Sequence, residues 1–197
     1  MKVQTHVVPY EPTPNGLDGA QWLEKLVLIA ASLKEQGTPT RLTLIGGATG
    51  MISGQPGRTS IDLDVWKPTS NYQYSALKTA VESAGLLFNP KMALEPETPY
   101  IQIVEPGLTQ LGKFEATEPL EQFGALTVDR PPIANIIAAK MVRAEPKDLS
   151  DIAYLLATFR PDKAAIETAI KTMPREAREK ATENLVYLSV LDAPAIS

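Results

Sequence analysis

A glycine pair closes an apolar run, and one short loop later two aspartates stand at alternate positions; no other feature constrains this chain as much. The first segment reads Leu44-Ile45-Gly46-Gly47-Ala48-Thr49, and the second reads Arg58-Thr59-Ser60-Ile61-Asp62-Leu63-Asp64-Val65-Trp66. Side chains on a strand point to opposite faces in turn, so Asp62 and Asp64 share one face while Leu63 and Val65 fill the core behind them. Two carboxylates this close repel and raise one pKa unless a cation or a proton intervenes. A hard oxygen site for Mg²⁺ takes one or two protein carboxylates and leaves phosphates and water to complete the octahedron. Phosphate is therefore the expected second ligand. Gly46 and Gly47 suit it, because glycine lets backbone N–H groups approach an anion closely, and the segment that follows is expected to start a helix. The alternative is a plain strand after a turn, with Asp62 and Asp64 merely solvated. The Gly-Gly pair upstream and the Arg58-Thr59-Ser60 step immediately before argue against it.

Composition narrows the classes. With 197 residues, 44% hydrophobic and 21% charged, the chain has enough apolar material for one compact domain, or for a core with a small helical addition. It contains no cysteine, which excludes disulfides and thiolate metal sites and fits a reducing cytoplasm. Its single histidine, His6, reads as an exposed terminal residue, so zinc sites built on histidine and triads with a histidine base are not expected. A net charge of −4 argues against a broad nucleic-acid-binding surface but leaves room for a local basic groove. No apolar run reaches membrane-spanning length and no secretory start is evident; the expectation is a soluble, cytoplasmic protein without membrane partners.

The pattern predicts an α+β fold, a small mixed sheet flanked by helices with a helical C-terminal part. Pro9, Pro12, Pro14 and Gly16 mark residues 1–17 as an irregular arm. Residues 18–130 form the α/β core. Asp18 caps a helix carrying Trp22, Leu26, Ala30 and Leu33 on one stripe, and Gly37 and Pro39 stop it. Strands are expected at 41–45, 62–65, 86–88, 100–104, 112–116 and 125–128, with a helix over 75–84. Residues 131–197 form a helical subdomain packed on that core, with helices at 133–144 and 148–159 and two more within 162–191, broken near Pro174.

Lys140 stands out among the helical residues. Ile133, Ile137, Lys140 and Ala144 follow helical spacing, which sets a lysine within an apolar stripe. Such a lysine must snorkel, pair with a carboxylate, or reach into a cleft. Asp148 and Asp151 follow Pro146; Asp148 reads either as an N-cap or as an acid turned toward Lys140 or Arg58. Arg58 itself carries a planar fork suited to phosphate oxygens.

The first motif resembles the signature of the DNA polymerase β-type nucleotidyltransferases, in which an apolar run, Gly-Gly or Gly-Ser and a short helix precede Asp-x-Asp. Within that superfamily the chain is most similar to the AbiEii-type toxins and their bacterial relatives, through Arg58-Thr59-Ser60 before the acid strand and through Ala138-Ala139-Lys140 followed by Lys147-Asp148-Leu149-Ser150-Asp151-Ile152. The two matches span residues 41 to 156. The resemblance implies a Mg²⁺-dependent (or Mn²⁺-dependent) transfer of a nucleoside monophosphate from an NTP to a hydroxyl of tRNA, other RNA or a protein, by the toxin half of a pair with an antitoxin. It implies Asp62 and Asp64 as metal ligands and a third acid on a neighbouring strand; there the 100–104 strand offers Gln102 and then Glu105, the candidate third ligand, and the 112–116 segment offers Glu115. Gly46, Gly47, Thr49, Arg58 and Ser60 would be nucleotide-binding, and Lys140 and Asp148 catalytic. Ala48 replaces the common serine, the interval from Gly47 to Asp62 is slightly long, and no distinctive motif carries the third acid. A catalytically silent nucleotide-binding or interaction module that keeps the fold is the alternative.

Overall fold

Asp18 starts the first helix through a reciprocal cap. Its Oδ1 accepts the Gln21 backbone N–H at 2.9 Å, and the Gln21 side-chain oxygen accepts the Asp18 N–H at 2.9 Å. The helix, α1 (Gly19–Glu35), buries Trp22, Leu26, Ile29, Ala30 and Leu33 along one stripe. It ends where Gly37 adopts φ +63°, so that the N–H groups of Gly37 and Thr38 close onto the carbonyls of Lys34 and Leu33. The structure is a computed structural model that describes residues 12–90 and 97–191. His6 and the first part of the expected arm, residues 1–11, lie outside the described residues.

The described chain divides into two units. The first, residues 12–109 and 115–132, holds β1 (Leu17–Asp18), α1, β2 (Thr40–Ile45), α2 (Ala48–Ile52), β3 (Thr59–Ser60), β4 (Asp62–Trp66), α3 (Tyr74–Ser83), β5 (Leu87–Phe88), β6 (Tyr100–Val104), β7 (Glu118–Phe123) and β8 (Leu126–Arg130). β1 and β3 form a small antiparallel ribbon. The other strands make a mixed six-stranded sheet in the order β5-β6-β4-β2-β8-β7. In it β2 runs antiparallel to β4 and parallel to β8, and β4 runs parallel to β6.

The alternation expected of β4 extends across the sheet. Leu42, Leu44, Leu63, Val65, Ile101, Ile103, Leu126 and Val128 enter one core cluster with the buried residues of α1 and α3. The opposite face carries Thr43, Ile45, Asp62, Asp64, Tyr100, Gln102 and Asp129. Asp129 is buried there, accepting from Arg41 Nη1 at 2.6 Å and from Thr117 Oγ1 at 2.9 Å. The sheet thus has an apolar side and a polar one, as an α+β architecture requires when helices cover one face.

The second unit holds residues 110–114 with α4 (Ile133–Met141), α5 (Pro146–Phe159), α6 (Lys163–Lys171), α7 (Arg175–Glu183) and α8 (Val186–Leu191). α4 is its axis. Ile133, Ala134, Asn135, Ile136, Ile137, Ala138 and Met141 are all buried, the pattern of a helix surrounded on most sides.

Two expectations about secondary structure require correction. The strand expected at 112–116 is absent, because the backbone of 110–114 is engaged by helices instead. Asn135 Nδ2 donates to the carbonyls of Leu111 at 2.8 Å and Lys113 at 3.1 Å, and the Lys113 N–H donates to Thr172 Oγ1 at 2.7 Å. Gly112, at φ +69°, leaves no room for a side chain against the Ala169 carbonyl. The outer strand is β7, whose Glu-Pro-Leu-Glu-Gln-Phe sequence lacks apolar alternation; its proline sits beside a register shift at the sheet edge, where a missing N–H is tolerated. The helical stretch 162–191 is also broken twice, not once. Pro174 makes the expected break, and Asn184 makes another by capping α7 while its Nδ2 donates to the Met141 carbonyl at 2.8 Å.

Replacing Asn135 with alanine leaves the buried Leu111 carbonyl and the part-buried Lys113 carbonyl short of a donor. Asn135→Ala is expected to lower the stability of the helical unit by about 1–3 kcal/mol. Urea denaturation with hydrogen exchange read at α4 and α6 measures it; an unchanged midpoint would contradict the role given to Asn135.

Candidate functional site

The site is built from the end of β2 outward. The antiparallel register sets Leu44 opposite Val65 and Ile45 opposite Asp64, so the chain leaves β2 beside the second aspartate. Gly46 then turns at φ +69°, a left-handed conformation that favours glycine, and a Cβ there would lie 3.1 Å from Asp64 Oδ2. Gly47 is equally confined: a Cβ would run into the Arg58 guanidinium. The glycine pair, the acid strand and the arginine are therefore one arrangement.

Arg58 is buried, with its Nη1 donating to the Thr59 carbonyl. Ser60 is also buried, and its Oγ donates to Asp62 Oδ1 at 2.7 Å; its carbonyl accepts Trp22 Nε1 at 3.1 Å, which ties the strand entry to α1. Asp62 and Asp64 are each half-buried and side by side on the polar face. α2, which follows the glycines, places Thr49 in full burial, and its Oγ1 has no hydrogen-bond partner among the described residues. An orphaned hydroxyl in a buried helical turn calls for an explanation, and a ligand oxygen is one.

β6 supplies the neighbours on the other side of the pair. Tyr100 lies opposite Asp62 and Gln102 opposite Asp64. Burial pushes the Tyr100 phenol up, and the negative charges of Asp62 and Asp64, with a hydrogen bond to Asp62, push it further in the same direction. The register thus gives the acid pair a phenol and an amide as neighbours; the sequence reading offers Gln102 at this place and does not single out Tyr100. Their signal was Tyr100-Ile101-Gln102, a polar-apolar-polar alternation matching Asp62-Leu63-Asp64.

Glu105, the expected third acid, does not join the pair. It lies three residues beyond Gln102, about 10 Å along the strand, where its carboxylate accepts Lys67 Nζ at 2.5 Å. That hydrogen bond and the Glu105 charge raise the pKa of Lys67. Glu115 is exposed outside any strand. Among the described residues no three of Asp, Glu or His come together as a set of metal ligands.

Lys140 and Asp148 form a second cluster, within the helical unit. Lys140 is 7% exposed, Asp148 0% and Asp151 1%. Lys140 Nζ donates to Asp151 Oδ2 at 2.6 Å and to Asp148 Oδ1 at 3.3 Å, while Arg143 donates to both oxygens of Asp148 at 2.9 and 2.8 Å. Of the three fates open to a lysine in an apolar stripe, the structure takes pairing with carboxylates. Asp148 is not an N-cap: Glu145 occupies that position and Asp148 sits inside the first turn. Burial alone would push the Asp148 carboxyl up, but the hydrogen bonds from Arg143 and the charges of Lys140 and Arg143 together outweigh it and hold the group below its usual value. No family model, curated protein or solved structure matches the chain.

The pairing makes a stability prediction. Removing one partner strands buried charge, so Lys140→Met is expected to cost the helical unit about 3–5 kcal/mol. Because the folded pKa of Asp148 is depressed, its contribution is present above the unfolded value of about 3.9 and is lost as pH falls through the lower folded value. Thermal melts between neutral pH and strong acid should show that loss in the parent chain and a shallower one in Asp148→Asn. Equal acid sensitivity of the two chains would contradict the assignment.

Proposed function

We propose that the sheet unit binds a nucleoside triphosphate with a divalent cation at the Asp62–Asp64 face and transfers the nucleoside monophosphate to a hydroxyl acceptor. The observation that carries this reading is the confinement of Gly46 against Asp64 Oδ2, which couples an anion-compatible glycine turn to the carboxylate pair. The donor set fits Mg²⁺ or Mn²⁺: two carboxylates, half-exposed, on one face, which would leave phosphate and water to complete the coordination. Bound there, such a cation would neutralise phosphate charge and favour loss of pyrophosphate when the acceptor hydroxyl attacks the α-phosphorus.

The chain's own residues have distinct parts in this reading. Asp62 and Asp64 hold the cation, with Ser60 orienting Asp62 through its 2.7 Å hydrogen bond. Gly46 and Gly47 offer backbone N–H groups to phosphate, and the Thr49 hydroxyl is a donor in reserve beside them. Arg58 braces the glycine turn from behind and adds positive charge next to it. Lys140 and Asp148 are placed here in the stability of the helical unit, not in the chemistry. RNA, tRNA or a protein side chain as acceptor, and a toxin role countered by an antitoxin, remain part of this proposal through the resemblance alone.

One observation favours a second reading, nucleotide binding without transfer. Gln102 stands opposite Asp64 where a third acid would help deprotonate the acceptor, and Glu105 faces Lys67.

A single experiment separates them. The purified chain is incubated with each α-labelled NTP, Mg²⁺ or Mn²⁺, and total RNA, while NTP binding is followed by calorimetry. Transfer of label to RNA or protein that falls roughly a thousandfold in Asp64→Ala supports the enzyme. Binding without label supports the binding module. Neither binding nor label overturns both.

A further inference from the structure

Given the nucleotide–cation reading of the acid face, on which this rests, we infer that the side-chain carbonyl of Gln102 is the third protein oxygen on the divalent cation. With Asp62 and Asp64 it makes a donor set centred on Asp64.

Strand register sets the amide beside the acid. β4 and β6 run parallel with Asp62 next to Tyr100 and Asp64 next to Gln102, and burial of Leu63, Val65, Ile101 and Ile103 turns all four polar side chains to the other face. Neighbouring strands stand about 4.8 Å apart. Two oxygens on one Mg²⁺ lie no more than about 4.2 Å apart, twice the metal–oxygen distance, so a cation held by Asp64 is within the swing of the longer Gln102 side chain. The backbone need not move.

Chemistry selects the amide over its neighbours. Tyr100 hydrogen-bonds Asp62, and its phenol, like the Ser60 hydroxyl that donates to Asp62 Oδ1 at 2.7 Å, brings a proton to that carboxylate. Gln102 brings a carbonyl oxygen, a hard donor of the kind that Mg²⁺, Mn²⁺ and Ca²⁺ accept. Its side chain is half-buried and makes no hydrogen bond among the described residues, so the amide is not committed elsewhere. Glu105, the nearest acid on that side, is held by Lys67.

The two aspartates therefore have different surroundings. Asp62 is oriented by hydroxyl donors, whereas Asp64 has the Gly46 turn on its β2 side, where a Cβ would lie 3.1 Å from Asp64 Oδ2, and Gln102 on its β6 side. The turn suits phosphate and the amide suits the metal, so a cation carried by a triphosphate meets both by settling at Asp64. A neutral third donor also fixes the strength of the site. Because ligand charge count tunes cation affinity, two carboxylates and an amide hold the metal less tightly than three carboxylates and leave more of its charge to the triphosphate.

The test reads metal affinity. Mn²⁺ is titrated into the full chain with a saturating non-hydrolysable NTP analogue, and bound metal is followed by electron paramagnetic resonance in the parent and in Gln102→Leu, Gln102→Ala and Gln102→Glu, each checked by circular dichroism. The two neutral variants lose the oxygen and are expected to bind Mn²⁺ about tenfold more weakly or worse. Gln102→Glu keeps an oxygen and adds charge, so it is expected to bind as tightly as the parent or more tightly. An amide that merely shapes the face would lose affinity in all three. Parent-like affinity in either neutral variant, or a loss in all three variants, would overturn the inference and leave the nucleotide–cation reading standing. A parent chain that takes up no Mn²⁺ with any NTP analogue overturns that reading, and the ligand assignment with it.

Discussion

The pairing of β2 with β4 is the contact on which the candidate site depends. It places the end of one strand beside Asp64, and the chain leaves that strand by a left-handed turn at Gly46, where a Cβ would lie 3.1 Å from a carboxylate oxygen. Glycine alone meets both demands, because any Cβ at position 46 would be strained by φ and pressed against Asp64. The second glycine admits the Arg58 guanidinium against the backbone. Burial of Leu44, Leu63 and Val65 on the far side of the sheet fixes the register, since a slip by one residue would carry Asp62 and Asp64 into the core. The hydrophobic core and the polar site are thus set by the same alternation.

Much of this was legible in the sequence because it rests on local rules. Period-two alternation identified the shared face of Asp62 and Asp64, Asp18 identified a helix start, and the glycine at 37 a helix end. Contacts remote in sequence were not legible. Nothing in residues 111–113 reveals that Asn135 and Thr172 will consume their backbone groups, and β7 is hidden because an edge strand tolerates Pro119 and two glutamates. The same limit explains Glu105: composition shows an acid near the strand, but only the register with Lys67 shows where its carboxylate goes. For Lys140 the stripe position identified a buried lysine, and the partner had to come from the next helix.

The two clusters of charge differ in their chemistry. In the helical unit Lys140, Asp148 and Asp151 are buried together and the exposed Arg143 closes on Asp148 from the solvent side, a hydrogen-bonded set that joins α4 to α5. On the sheet, Asp62 and Asp64 are half-exposed, flanked by Ser60, Tyr100 and Gln102 and approached by a glycine turn. The first arrangement spends its charges on packing; the second keeps oxygen donors at the surface, next to backbone that a phosphate can approach. That contrast is why the proposed chemistry rests on the sheet unit.

Electron paramagnetic resonance of Mn²⁺ titrated into the chain, with and without each NTP, tests the central claim most directly. The account predicts tight Mn²⁺ binding that appears when an NTP is present, because two carboxylates leave most of the coordination to phosphate and water. It predicts that Asp64→Asn abolishes the signal change while Lys67→Ala leaves it intact. Mn²⁺ binding that ignores nucleotide, or that survives Asp64→Asn unchanged, would contradict it.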